Sequence, residues 1–183
     1  EGGVLPVIKH IPGHGRARVD SHEACPLVET GLEELSRSDF TPFRRLAGMP
    51  WAMTAHIVYT AVDGTMPATL SQAVVTGIIR GEIGFDGVLI SDDLSMRALG
   101  GRLGERARLA LAAGCDLALH CNGEPREMEE IAAVVRRVSK ATAGRLARAE
   151  AMRERSAIGG FDRNEAEERL DALLAGLGEE TTE

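Results

Sequence analysis

Ile83-Gly84-Phe85-Asp86-Gly87-Val88-Leu89-Ile90-Ser91-Asp92-Asp93 sets a short apolar run between glycines and ends it on two carboxylates. Val88 to Ser91 has the form of a strand buried on both faces, as in parallel sheets wrapped by helices. Three other stretches repeat the form: Val4 to Lys9 running into His10, Trp51 to Thr54 running into His56, and Asp116 to Leu119 running into His120 and Asn122. Each apolar run delivers polar, reactive residues at its C-terminal end.

Helical stretches alternate with these strands. Thr41-Pro42 reads as N-cap and first helical residue, Ser71 as the cap of Gln72 to Ile83, and Gly104 to Ala113 as a helix. Gly84 and Gly114 read as the stops of the last two. Further helices are expected over Pro125 to Ser139 and Ala143 to Ile158. Gly159-Gly160 then separates them from an acidic helix, Asn164 to Leu177, and Gly178 to Glu183 are expected to be disordered. Four β/α units make half of a (β/α)8 TIM barrel, which typically takes roughly 250 residues. The α/β class follows, with residues 1–158 expected as the C-terminal half of a catalytic barrel and 159–183 as a helix and acidic tail. The chain opens at Glu1 without an initiator methionine, almost inside a strand, and is expected to be a fragment. An open flavodoxin-like sheet also alternates strands and helices, but it places its ligand at a reversal of strand order. Polar groups at all four strand ends favour the barrel.

Composition narrows the function. A 44% hydrophobic, 27% charged chain of net charge -7, with scattered arginines, offers a phosphate backbone no docking face, so nucleic acid is not an expected partner. No apolar run reaches the roughly 20 residues that span a bilayer, and no membrane association is expected. Cys25, Cys115 and Cys121 form no C-x-x-C pair, which argues against a disulfide framework or structural zinc and suits a reducing cytoplasm.

The densest chemistry follows the first strand: Lys9-His10-Ile11-Pro12-Gly13-His14-Gly15, then Asp20-Ser21-His22. In an extended segment Asp20 and His22 project to the same side while Ser21 points away. A carboxylate beside an imidazole favours the protonated ring, which suits a group that gives a proton to a leaving oxygen and later takes one back. The same residues also suit a plain turn in which Asp20 caps backbone groups and His22 is exposed. Lys9, one of two lysines in the chain, and His10 are candidate donors to sugar hydroxyls. Of Asp92 and Asp93, consecutive on a strand, at most one is expected to face the mouth while the other caps the next turn; parity does not say which. Met53-Thr54-Ala55-His56 ends the second strand, and His56 reads either as a sugar contact or as a hydrogen-bonded structural histidine.

Together, Lys-His-Ile-Pro-Gly-His-Gly, Asp-Ser-His, Met-Thr-Ala-His and Ile-Gly-Phe-Asp-Gly-Val-Leu-Ile-Ser-Asp-Asp-Leu-Ser-Met closely resemble the cytoplasmic β-N-acetylglucosaminidases of glycoside hydrolase family 3, from about Leu5 to Asn122. The resemblance implies a retaining mechanism with Asp92 as nucleophile and His22, charged by Asp20, as acid/base. It implies Lys9, His10, Met53 and His56 as substrate-binding residues. It also implies a small carbohydrate substrate, N-acetylglucosamine linked to anhydro-N-acetylmuramic acid with or without peptide, in peptidoglycan recycling. No cofactor and no metal are implied, and the full-length protein is expected to be a cytoplasmic monomer. The family also draws an aspartate and an arginine from the other half of the barrel, so these 183 residues alone are expected to be nearly inactive. Two rivals stand beside this reading: a metal-dependent barrel hydrolase using His10, His14, His22, His56 and Asp92, and a non-catalytic sugar-binding remnant.

Overall fold

The computed structural model describes residues 3–156 and 162–178. Two compact units result: residues 5–152, and residues 1–4 together with 153–183. The larger unit carries strands β1 (Val7–Ile11), β2 (Leu27–Val28), β3 (Trp51–Thr54), β4 (Val58–Tyr59), β5 (Val88–Asp93) and β6 (Leu117–Leu119). Among the described residues, the main sheet is four-stranded and parallel, in the order β1-β3-β5-β6, so its strands follow chain order without reversal. That is the succession of barrel units, and among these strands there is no reversal of order at which an open sheet would place its ligand. β2 and β4 pair in a separate two-stranded parallel sheet that no periodicity announced, because two residues carry no alternation.

Helices α1 (Leu32–Arg37) and α2 (Thr41–Arg45) precede β3. Thr41 is the first residue of α2, with Phe40 at the N-cap, in place of the expected cap role. Its hydroxyl instead donates back to the Arg37 carbonyl, 3.0 Å away, which satisfies an acceptor at the end of α1. The segment expected as a helix after Ser71 is one, Ala73–Glu82, wound as a π-helix in which the following residue, Ile83, donates five residues back to Ile78. Its N-cap residue is Gln72, not the expected Ser71, but Ser71 Oγ, one residue earlier, accepts the Val74 N–H at 3.2 Å. α3 (Leu103–Ala113) ends at Gly114, whose φ of 117° lies in the left-handed region, and Gly84 at φ 78° follows the π-helix. α4 (Pro125–Ala132) stops seven residues before the expected Ser139, where Val134, Val135 and Val138 weaken the helix. α5 (Lys140–Ser156) follows, with the Ser139 hydroxyl accepting the Thr142 N–H at 3.0 Å. In the smaller unit, α6 (Arg163–Gly178) carries an Arg163–Glu167 ion pair of 2.6 Å one turn apart. The expected features at Ile158, Gly159-Gly160 and 179–183 lie outside the described residues. No described helix is long and apolar enough to cross a membrane.

The core of the larger unit joins Ala52 and Leu89 of the sheet to Val74, Val75, Ile78 and Ile79 of the π-helix and to Ala107 and Ala110 of α3. A buried acid pins the start of β6. Asp116, its side chain 2% exposed, accepts the Leu89 N–H at 2.9 Å, Arg80 at 2.8 Å, the Thr142 hydroxyl at 2.7 Å and Arg145 at 3.1 Å. Gly87 lets β5 start against β3: a Cβ there would stand 2.6 Å from the Met49 carbonyl oxygen and the Phe85 ring, and 2.7 Å from that of Pro50.

Candidate active site

Register aligns the C-terminal ends of the strands. Lys9 pairs with Met53 and Met53 with Ile90, which sets these three side chains in one row across β1, β3 and β5. Lys9 is exposed and Met53 half-buried. His10, the next residue on β1, reaches Asp92 on β5, with Nε2 3.5 Å from Oδ2. Burial lowers the pKa of His10 below the usual imidazole value; Lys9, His14 and His56 add to this, and Asp92 opposes it.

The two aspartates of β5 divide their work. Asp93 binds locally: it accepts the Ser95 N–H at 3.0 Å, the Ser95 hydroxyl at 2.6 Å and the Cys121 N–H at 3.2 Å. Burial works to raise its pKa, but these hydrogen bonds, with His120 nearby, outweigh it and hold the pKa below the ordinary carboxylate value. Asp92 keeps its side chain toward β1 and His10, 14% exposed, with Oδ1 accepting the Asp93 N–H at 2.8 Å. Here the structure supplies what parity left open. Ser91 points the other way, fully buried, and its Oγ accepts the Leu119 N–H of β6 at 2.8 Å.

Asp20 and His22 meet in the loop between β1 and β2. The segment is a turn, not the extended stretch expected, because the Asp20 carbonyl accepts the N–H groups of Glu23 and Ala24, each at 3.0 Å. Asp20 Oδ1 accepts the His22 N–H at 2.9 Å and lies 2.8 Å from His22 Nδ1, so one carboxylate oxygen both caps the turn and holds the imidazole. The hydrogen bond to Asp20, then its charge, raises the His22 pKa; Asp92 and Asp93 add to the effect. The N–H and ring of His22 lower the Asp20 pKa. Ser21 faces inward, 5% exposed, 3.3 Å from His14 Nε2, and the His14 ring stands 5.5 Å from that of His10. Arg16 ties the loop to the α1 region through Asp39 and Glu34, both at 2.8 Å, and the Tyr59 hydroxyl donates to the Gly13 carbonyl.

His56 is fully buried, with Nδ1 2.7 Å from the Thr69 hydroxyl and Nε2 3.0 Å from the Asp93 carbonyl oxygen. Both ring nitrogens thus contact protein groups, the arrangement that the reading of a hydrogen-bonded structural histidine anticipates. Thr69, Tyr59 and Arg16 carry no motif that would have singled them out. No group of three or more His, Cys, Asp or Glu among the described residues is disposed to hold a metal ion. A cavity of about 860 Å³ beside α3, α4 and the start of α5 is lined by none of these mouth residues.

Residues 1–153 match the glycosyl hydrolase family 3 N-terminal domain. The chain belongs to this family. The beta-hexosaminidase of Pseudomonas aeruginosa strain PAO1 is 47% identical over 137 residues, covering 73% of this chain and 41% of the relative. The beta-hexosaminidase of Alkalilimnicola ehrlichii is 45% identical over 126 residues, covering 67% and 36%. The chain therefore spans about two fifths of the length of these curated relatives. Among solved structures, a family 3 beta-N-acetylglucosaminidase from Paenibacillus sp. str. FPU-7 superposes with a TM-score of 0.75 at 36% identity, covering 87% of this chain and 33% of that one. NagZ from Neisseria gonorrhoeae, in complex with N-trifluoroacetyl-D-glucosamine, gives 0.69 at 40% identity, covering 79% and 42%.

Proposed function

We propose that the protein containing this chain is a retaining β-N-acetylhexosaminidase that removes terminal, non-reducing β-N-acetylglucosamine. The disposition of Asp92 and His22 carries the reading. One carboxylate faces His10 across the strand ends, while a second, Asp20, holds an exposed imidazole and raises its pKa, an effect to which Asp92 adds. In the first step an Asp92 oxygen attacks the anomeric carbon as the glycosidic C–O bond breaks, and His22 gives its proton to the departing oxygen. In the second step His22 takes a proton from water, whose oxygen displaces Asp92 and regenerates the carboxylate. Histidine replaces the usual second carboxylate, so the carboxylate-spacing rule for stereochemistry does not apply.

Lys9 and His10 are assigned to the sugar hydroxyls, and Met53, in the row between Lys9 and Ile90, to the sugar's apolar face. The substrate class is N-acetylglucosamine joined to anhydro-N-acetylmuramic acid, with or without peptide, and the setting is cytoplasmic peptidoglycan recycling by a monomer. Orientation is worth roughly 7 to 11 kcal/mol in such reactions. The 183 residues alone, which match about two fifths of a relative, are thus assigned little or no activity.

Incubation of the full-length protein with a slow fluorinated N-acetylglucosaminide, followed by peptide mass spectrometry, tests the assignment. A covalent sugar on Asp92, together with loss of nearly all turnover in Asp92→Ala, is the expected result. No adduct with retained turnover in Asp92→Ala overturns it.

A further inference from the structure

Thr69 lies in a 3₁₀ turn, Ala68–Leu70, outside every motif that marks the site, yet it is fully buried against the strands that carry it. Its Oγ1 stands 2.8 Å from Thr54 Oγ1 and 2.7 Å from His56 Nδ1. Thr54 Oγ1 accepts the Asp92 N–H at 3.3 Å, and His56 Nε2 reaches the Asp93 carbonyl oxygen at 3.0 Å. The relay thus begins on residue 92 and ends on residue 93. Thr54, His56 and Thr69 are all 0% exposed, out of contact with bulk solvent, and their polar side-chain atoms bond one another and the backbone.

The proton directions follow from chemistry. A carbonyl oxygen has no hydrogen to give, so His56 Nε2 carries one. Burial lowers the His56 pKa and so favours the neutral ring, in which Nδ1 is an acceptor when Nε2 carries the proton. The Thr69 hydroxyl then donates to Nδ1 and accepts from the Thr54 hydroxyl, whose remaining lone pairs face the Asp92 N–H. The Ala55 carbonyl, 3.1 Å from Thr69 Oγ1, is the competing acceptor, but turning the hydroxyl there would strip a buried Nδ1 of its donor. The turn itself is held from two sides. Asp63 accepts the Ser71 hydroxyl at 2.7 Å and the Thr65 and Met66 N–H groups at 3.0 and 3.1 Å, and the Ala68 N–H donates to Ile57 at 2.7 Å.

We infer that Thr54, Thr69 and His56 are positioning residues for the nucleophile, with Thr69 as the hub that fixes the backbone on both sides of the Asp92 side chain. This rests on the reading of Asp92 as nucleophile. With the 92 N–H and the 93 carbonyl both anchored, the carboxylate has just two side-chain torsions left, and its Oδ1 contact with the Asp93 N–H restrains those.

The test is made in the full-length protein with a chromogenic β-N-acetylglucosaminide. Thr69→Val keeps shape and removes the hydroxyl; kcat is expected to fall about 10- to 100-fold with KM held, as small misplacements of a reacting group do. Thr69→Ser is expected to restore kcat, and Thr54→Val to repeat the loss through the other half of the relay. Nitrogen-15 spectra of the histidines should show His56 neutral with its proton on Nε2. Folded valine variants with unchanged kcat, a loss confined to KM, or a His56 proton on Nδ1 each overturn the inference. Failure of both valine variants to fold does so too, because the relay would then be a packing element alone. Asp92→Ala separates the two levels: retained turnover there sinks the nucleophile reading, whereas an inactive Asp92→Ala beside an unimpaired Thr69→Val sinks only the relay.

Discussion

Asp116→Ala is expected to destabilise the larger unit by about 4 kcal/mol, because breaking a buried ion pair by removing one partner typically costs about 3–5 kcal/mol. The geometry sets the figure. The carboxylate is 2% exposed and Arg80 16%, so truncation strands a cation that still bonds the Phe85 and Gly87 carbonyls but has lost its counter-charge. The Leu89 N–H loses its acceptor as well, a penalty of about 1–3 kcal/mol if nothing relaxes. Arg145 adds little, because it is held by Asp86 too. Asp86 supplies the contrast. It pairs with Arg145 and Arg148 at 3.0 and 2.9 Å but is 71% exposed, and Asp86→Ala is expected to cost under about 1 kcal/mol. Urea unfolding followed by circular dichroism, with unchanged slope, gives both numbers. Equal losses for the two variants, or an Asp116→Ala loss below that of Asp86→Ala, would refute burial as the source of the difference.

Asp20→Asn preserves an acceptor for the His22 N–H but removes the charge that raises the His22 pKa. The basic limb of kcat/KM in the full-length protein, where the acid loses its proton, should therefore move to lower pH; an unmoved limb excludes His22 as the titrating acid. Gly87→Ala drives a Cβ into two backbone carbonyl oxygens and a ring at 2.6–2.7 Å. A loss at or above about 3 kcal/mol, the upper range for overpacking, is expected in the same unfolding assay.

What could be read in advance, and what could not, has a physical basis. The four main strands were legible because each is an apolar run bounded by polar residues, and Gly84 and Gly114 marked helix stops because L-residues with side chains avoid positive φ. Strand parity alone did not tell which aspartate faces the mouth, and only the resemblance singled out Asp92. The choice between Asp92 and Asp93 depends on a register shift between Ile90 and Asp93 against β6, a tertiary feature. Asp116 read as part of an apolar strand, since its partners Arg80, Thr142 and Arg145 are 26 or more residues away. His56 left two readings open, and the hydroxyl that decides its surroundings belongs to Thr69, in a turn with no periodic signal. Valines 134, 135 and 138 do carry a local signal for the early end of α4, but hydrophobic content alone hid it.

His22 and Asp92, the proposed acid/base and nucleophile, are secured in different ways. Asp92 grows from the centre of a sheet, whereas His22 rides on a turn that is 75% open at its side chain and tethered by polar links at Arg16, Ser21 and Asp20. Under the proposed mechanism, a proton carrier mounted outside the packed interior can serve a departing sugar and then an arriving water without any strand having to shift. The two proposed half-reactions, with opposite proton traffic, can in this way share a single ring above one scaffold.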